Sequence, residues 1–98
     1  MEKVSSRTDT LVYLVDDDPV VSSLVSNRLE SNGYSVRAFS YAEDCIAALG
    51  NAPDLIILDY YFLKEGETPM NGMEAYDEIV RLAPEVPVIM LSAQEKGE

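Results

Sequence analysis

The sequence has 98 residues, with 18 acidic and 7 basic side chains, a formal net charge of −11 and no histidine. A chain of this length forms one small domain, and its acidity argues against a nucleic-acid surface, which needs clustered lysine and arginine. The lack of histidine excludes a Ser-His-Asp triad and histidine-ligated zinc. Cys45 is the only cysteine, and no apolar run approaches the ~20 residues that span a membrane. These properties predict a cytoplasmic, non-membrane domain that favours cationic ligands or partners.

The first predicted strand and helix follow a polar segment. Residues 1–9 are polar and aperiodic, which predicts a flexible amino-terminal tail ahead of one domain over residues 10–98. The apolar run from Leu11 to Val15 is typical of a strand buried on both faces. Asp18 and Pro19 have the pattern of a helix start. The apolar stripe of this helix is predicted to be Val21, Leu24, Val25 and Leu29, with a stop at Gly33.

The second unit repeats this strand–helix pattern. Residues 34–39 alternate and are rich in β-formers, so they are predicted to form a strand. Ser40 and Glu43 have the spacing of a capping box, and Gly50 is expected to end the helix. The apolar positions of this helix are Ala42, Cys45, Ile46 and Leu49, which predicts a buried Cys45.

The third unit begins after Pro53, where residues 54–58 form another apolar strand that ends on Asp59. Asn71 and Glu74 have a second capping-box spacing, followed by a helix with Tyr76, Ile79, Val80 and Ala83 on one face. Residues 88–91 are the fourth predicted strand. Alternating strands and helices predict right-handed βαβ units and an open parallel sheet with helices on both faces.

Polar side chains follow three of the predicted strands. Asp16, Asp17 and Asp18 follow the first strand, Asp59 ends the third, and Ser92 follows the fourth. In open α/β sheets this edge is where ligands bind. Asp18 has a simpler interpretation as a helix cap, but clustered carboxylates repel one another unless a cation neutralises them. Oxygen ligands of this kind suit Mg²⁺.

At four places the sequence resembles the receiver domain of two-component response regulators. The matching segments are Leu-Val-Asp-Asp-Asp-Pro (14–19), Leu-Ile-Ile-Leu-Asp (55–59), Asn-Gly-Met-Glu (71–74) and Pro-Val-Ile-Met-Leu-Ser-Ala (87–93). The resemblance implies an α/β, flavodoxin-like, doubly wound parallel sheet with strand order 2-1-3-4. It also implies a signalling domain and not a conventional enzyme.

The resemblance further implies a role for each residue of the site. Asp59 is similar to the phosphoacceptor, which takes a phosphoryl group from a histidine kinase or a phosphotransfer protein. Asp16, Asp17, Asp59 and the backbone carbonyl of Tyr61 are expected to bind Mg²⁺. Ser92 is similar to the switch hydroxyl that bonds a phosphoryl oxygen.

Two features depart from the family pattern. The loop after Asp59 is longer than usual and lacks the Met-Pro pair. The fifth strand, its lysine and the last helix have no counterpart, so the domain is expected to be incomplete at its carboxyl end. Lys64 and Lys96 are expected to be solvated charges and not substitutes for that lysine. An open sheet edge favours self-association, which predicts a homodimer or a domain-swapped dimer.

Two alternatives remain open on the sequence alone. The run Asp16-Asp17-Asp18-Pro19-Val20 also matches the first motif of haloacid-dehalogenase-type phosphatases, in which Asp16 would be the nucleophile and Asp18 the general acid. The other alternative is a receiver-like protein-binding module that is never phosphorylated.

Overall fold

In the computed structural model of the protein, residues 9–59 and 72–91 are described. Over these ranges strands and helices alternate as the sequence predicts. The elements are β1 (Leu11–Val15), α1 (Pro19–Glu30), β2 (Ser35–Phe39), α2 (Ala42–Ala47), a 3-10 turn (Leu49–Asn51), β3 (Leu55–Asp59), α3 (Gly72–Leu82) and β4 (Val88–Leu91). No helix within these ranges is long and apolar enough to cross a membrane.

The four strands form one parallel sheet in the order β2-β1-β3-β4, which confirms the predicted fold class and strand order. β1 is central: Val12 pairs with Val36 of β2 on one side and with Leu55 of β3 on the other. β4 joins the far side of β3, where Leu91 pairs with Asp59. All strands therefore end at one edge of the sheet, called here the carboxyl edge, and begin at the opposite, amino edge.

The hydrophobic core lies between one face of the sheet and the helices α2 and α3. Because successive strand residues point to opposite faces, alternate positions of β1 and β3 meet the two helices. The fully buried members of this core are Tyr13, Val15, Ile56 and Leu58 from the strands and Ala42, Cys45, Ala75 and Ile79 from the helices. The predicted burial of Cys45 is confirmed.

Tyr13 connects β1 to the end of α2. Its phenolic Oη donates a hydrogen bond to the carbonyl oxygen of Ala48 over 2.6 Å, and its ring packs edge-on against Phe39 with the centroids 5.0 Å apart. We expect Tyr13→Phe to lower the free energy of unfolding by about 1–2 kcal/mol, because the variant leaves the Ala48 carbonyl without its donor. Urea denaturation measures this loss. The exposed Tyr41 supplies the control, and an equal loss in Tyr41→Phe would contradict the explanation.

Cys45 is held in its neutral form by the core. Burial raises the pKa of its thiol from 9.0 to about 12, so the folded protein keeps a proton that the unfolded chain releases near pH 9. The contribution of this thiol to stability is therefore complete below pH 9 and is lost as the pH rises towards 12. We expect the difference in unfolding free energy between the protein and Cys45→Ala to shrink by about 1–2 kcal/mol from pH 8 to pH 10.5. Denaturant titrations at the two pH values test this, and a constant difference would count against it.

The face of the sheet opposite the core is covered incompletely. α1 packs against β2 and β1 there, yet no residue of α1 is buried. In the apolar stripe predicted for α1, Val21 and Leu24 are 40% and 65% exposed. Ile89 and Leu91 of β4 are also 46% and 43% exposed, so apolar side chains remain in contact with solvent on both elements. The sequence periodicity identified the apolar stripe of α1 but could not show how much of it would be covered.

The predicted helix ends are confirmed for α1 and are wrong for the start of α2. Asp18 caps α1 as predicted: its carboxylate accepts hydrogen bonds from the Val20 and Val21 amides over 2.9 and 3.4 Å. Gly33 has the positive φ of 94° expected at the stop after that helix. The predicted capping box at Ser40 is wrong, because α2 begins at Ala42 with Tyr41 as the capping residue and without a side-chain cap bond.

The remaining predictions about the helices concern α2 and α3. α2 ends at Ala47, and the 3-10 turn carries the chain through Gly50, where the sequence predicted the helix to stop. On the predicted apolar face of α3, Ile79 is fully buried, whereas Val80 is 38% exposed. Asn71, the predicted cap of α3, lies outside the described residues.

Candidate functional site

Two acidic residues from neighbouring strands meet at the carboxyl edge of the sheet. Val15 pairs with Leu58, so the next residues along the two strands, Asp16 and Asp59, lie side by side. Asp16 is only 5% exposed, and the Asp59 carboxyl group lies close enough to raise its pKa. Asp59 is partly buried. The strand order thus brings together two of the predicted site residues that are distant in sequence.

The backbone around Asp16 holds its carboxylate in place. The Asp16 amide donates to the carbonyl oxygen of Phe39 at the end of β2 over 3.0 Å. The Oδ1 atom of Asp16 accepts a hydrogen bond from the Asp18 amide over 2.9 Å. Asp18 in turn caps α1, so one short segment links the ends of two strands to the start of a helix. This arrangement leaves little freedom for the Asp16 side chain to turn away from Asp59.

The electrostatics of the pair are unfavourable without a counter-charge. The pKa of Asp16 is raised from 3.8 to about 6. Burial is the largest cause, the adjacent carboxylates of Asp59 and Asp18 also raise it, and the hydrogen bond from the Asp18 amide opposes the rise. Two carboxyl groups in contact ionise together only when positive charge lies close by. A bound cation would supply that charge.

The donor chemistry of the pair fits Mg²⁺. Magnesium takes hard oxygen ligands, often only one or two carboxylates, and completes its octahedron with water. Over residues 9–59 and 72–91, no three acidic or cysteine side chains form a group that could hold a metal ion. The fit therefore rests on the Asp16–Asp59 pair, and Asp17 is exposed beside it. The assignment of Asp17 as a ligand stays a prediction.

The other predicted site residues fall outside the described ranges. These are Tyr61, whose carbonyl is the expected metal ligand, and Ser92, the expected switch hydroxyl. Lys64 and Lys96 fall outside as well. The residue before Ser92 is Leu91, which pairs with Asp59 across β3 and β4.

A hydroxyl-rich cavity beside Asp16 was not anticipated from the sequence. Its volume is about 280 Å³, and it lies between α1 and the end of β2. Among the side chains that line it are Asp16, Ser22, Ser26 and Ser40. Ser22 and Ser26 are four residues apart and so share one face of α1. That spacing, next to the acidic run, was the signal that could have revealed the cavity.

The comparisons with known proteins agree with this geometry. A family model described as the response regulator receiver domain matches residues 12–98. The nitrogen assimilation regulatory protein NtrX of Azorhizobium caulinodans is 40% identical over 82 residues, which cover 83% of this chain and 17% of that protein. The transcriptional regulatory protein GlrR of Escherichia coli is 43% identical over 83 residues, which cover 84% of this chain and 18% of that protein. The chain thus spans less than a fifth of either relative.

Solved structures show the same likeness. The non-phosphorylated HemR receiver domain of Leptospira biflexa superposes with a TM-score of 0.74 at 27% identity, over 91% of this chain and 68% of that one. The N-terminal domain of a response regulator receiver protein from Methanoculleus marisnigri gives a TM-score of 0.74 at 31% identity, over 89% of this chain and 69% of that one. With the paired carboxylates at the carboxyl edge and a family match over most of its length, this chain belongs to the response regulator receiver domain family.

Proposed function

We propose that this chain is a phosphoacceptor domain in which Asp59 takes a phosphoryl group from the phosphohistidine of a histidine kinase or phosphotransfer protein. The observation that carries the proposal is the position of Asp59 beside the buried Asp16, at the ends of two neighbouring parallel strands. Such a domain transmits a signal by changing its surface, in a cytoplasmic setting, and does not turn over a substrate.

The transfer has a simple balance. A carboxylate oxygen of Asp59 forms a bond to phosphorus while the bond between phosphorus and the donor's imidazole nitrogen breaks. The donor keeps the electron pair of the broken bond, and the product on this chain is an acyl phosphate. Mg²⁺ held by Asp16, Asp17, Asp59 and the Tyr61 carbonyl would neutralise charge on the transferring phosphoryl oxygens.

The residues of this chain have distinct parts in the proposal. Asp16 is fixed by the Phe39 carbonyl and the Asp18 amide, so it stays directed at Asp59 without reorganisation. The Ser92 hydroxyl would donate a hydrogen bond to a phosphoryl oxygen and so couple the new charge to the chain after β4. That coupling is the proposed route from phosphorylation to a changed protein surface.

The phosphatase alternative has less support. Family membership favours the receiver, and the Asp18 carboxylate that would serve as general acid is engaged at the start of α1. A receiver-like binding module that is never phosphorylated is the second candidate, and a labelling experiment distinguishes it from the phosphoacceptor.

Labelling with a small phosphodonor separates the three functions. We expect the chain, incubated with Mg²⁺ and acetyl phosphate, to gain one phosphoryl group by intact-mass spectrometry. Asp59→Asn should abolish the gain, whereas Asp44→Asn, at an exposed position of α2, should keep it. Labelling that survives Asp59→Asn and disappears in Asp16→Asn would indicate the phosphatase. No labelling of a folded chain would indicate the binding module.

Self-association is a further part of the proposal. Over the described residues, β4 pairs with β3 alone and its Ile89 and Leu91 side chains are half exposed. Edges of this kind favour pairing between chains, as a homodimer or a domain-swapped dimer. Sedimentation velocity across a dilution series should show a dimer, and a stable, compact monomer throughout the series would contradict this part.

A further inference from the structure

A second cavity lies at the amino edge of the sheet, opposite the Asp16–Asp59 pair. Its volume is about 510 Å³, and it is enclosed by the turns that lead into β3 and β4 and by the end of α3. Hydrogen bonds hold these walls: the Ala52 amide donates to the Leu49 carbonyl over 2.9 Å, and the Val86 amide donates to the Ala83 carbonyl over 3.1 Å. The cavity is therefore part of the folded framework.

The lining of this cavity combines apolar side chains with two carboxylates. Leu49, Leu82 and Val86 supply the apolar surface, and Leu82 is 47% exposed although it belongs to a helix that packs on the core. Asp54 and Glu85 supply two carboxylates, both at exposed positions. None of the lining residues within 9–59 and 72–91 is basic.

One of the two carboxylates is held by the backbone. One oxygen of Asp54 accepts a hydrogen bond from the Leu11 amide over 2.8 Å, which fixes this carboxylate in the lining of the cavity. Arg81, which precedes Leu82 in α3, forms an ion pair with Glu78 on the helix surface. The side chains that line the cavity thus present negative charge next to an apolar wall.

We propose that this cavity is a docking site for a lysine or arginine side chain of a protein partner. The methylene stem of such a side chain would pack on Leu49, Leu82 and Val86, while its cationic head would meet Asp54 and Glu85. An anionic occupant would be repelled, and a purely apolar one would strip water from the two carboxylates without compensation. The net charge of −11 would also attract a basic partner surface. Because the site lies at the far edge of the sheet, it needs no phosphorylation to form.

The test is a titration of the ¹⁵N-labelled full chain with N-acetyl-leucyl-arginine amide, followed by amide chemical shifts. We expect shifts confined to residues 49–54 and 82–86. Glu85→Gln should weaken binding about threefold, as expected for loss of one exposed ion pair, and Leu82→Gln should weaken it as well. Glu30→Gln removes an exposed carboxylate from α1 and should bind as the unchanged chain does.

A neutral isostere and the chain's own basic residues complete the test. The citrulline analogue of the peptide keeps the stem and lacks the charge, so equal binding by it would overturn the proposal. Absence of shifts, or shifts spread away from the two segments, would overturn it too. If Lys3→Gln with Arg7→Gln moves the same amides before any peptide is added, the occupant is this chain's amino-terminal segment and the proposed partner site is wrong.

Discussion

Mg²⁺ binding is expected to weaken at least about tenfold when Asp16 is replaced by asparagine. The substitution keeps an oxygen that can accept the Asp18 amide hydrogen bond but removes one of two negative charges from the pair. Isothermal titration calorimetry, with Mn²⁺ as a second probe, measures the change. Asp77→Asn, which removes an exposed charge from α3, should leave the affinity unchanged.

The same variant should have the opposite effect on stability without metal. In a metal-free buffer at neutral pH, Asp16→Asn relieves the burial and repulsion that raise the pKa of this carboxyl group, so the free energy of unfolding should rise by about 1–3 kcal/mol. A buried residue with a purely structural role would lose stability instead. Weaker metal binding together with lower stability would therefore contradict the assignment of Asp16 to a metal site.

The second large effect is expected in the core, where Ile79→Ala should lower the free energy of unfolding by about 2–5 kcal/mol. Ile79 is fully buried among the strands and α2, so its truncation removes apolar contacts and leaves a cavity. Urea denaturation followed by circular dichroism measures the loss. The next residue gives a matched control, because Val80 is 38% exposed and Val80→Ala should cost less than about 1 kcal/mol. Similar losses in both variants would mean that α3 does not pack with the face assigned to it.

Most of the correct predictions about the fold came from the pattern of short apolar runs in the sequence. Apolar runs that end on Asp or Ser, separated by helical periodicity, are local features, and they placed β1, β3 and β4 correctly. The Asp18-Pro19 helix start is local as well, and the structure confirms it. The strand order came from the family resemblance, because periodicity does not say which strands are neighbours.

The errors arose where the outcome depends on the rest of the molecule. The exposure of Leu24 depends on what covers α1, which its own periodicity does not contain. Ser40 failed as a cap because the backbone stays extended at Tyr41, with φ −133° and ψ 144°, and the helix starts one residue later. Spacing alone cannot distinguish those two starting points.

The candidate site also has one feature that the sequence predicts and one that depends on the rest of the molecule. The strands of a parallel sheet end at the same edge. The convergence of Asp16 and Asp59 was therefore predictable from their positions at the ends of two apolar strands. The difference between a buried Asp16 and an exposed Asp17 was not, since both are aspartates in one acidic run. The Asp16 amide donates to the carbonyl oxygen of Phe39, a bond that forms only when β2 lies beside β1, and this contact distinguishes Asp16 from Asp17.

The central place of β1 bears on the order in which the domain can fold. One edge of β1 pairs with β2, beginning with Leu11 and Ser35. The other edge pairs with β3, which comes much later in the sequence, from Val12 with Leu55 to Val15 with Leu58. Parallel pairing between strands that are far apart in sequence slows folding. The reason is that the long segment between them loses conformational entropy before the contacts between the strands form. During synthesis β1 therefore keeps one edge unpaired until β3 has left the ribosome. The strand that covers this edge carries Asp59, so the core and the proposed phosphoacceptor position would form in a single cooperative step.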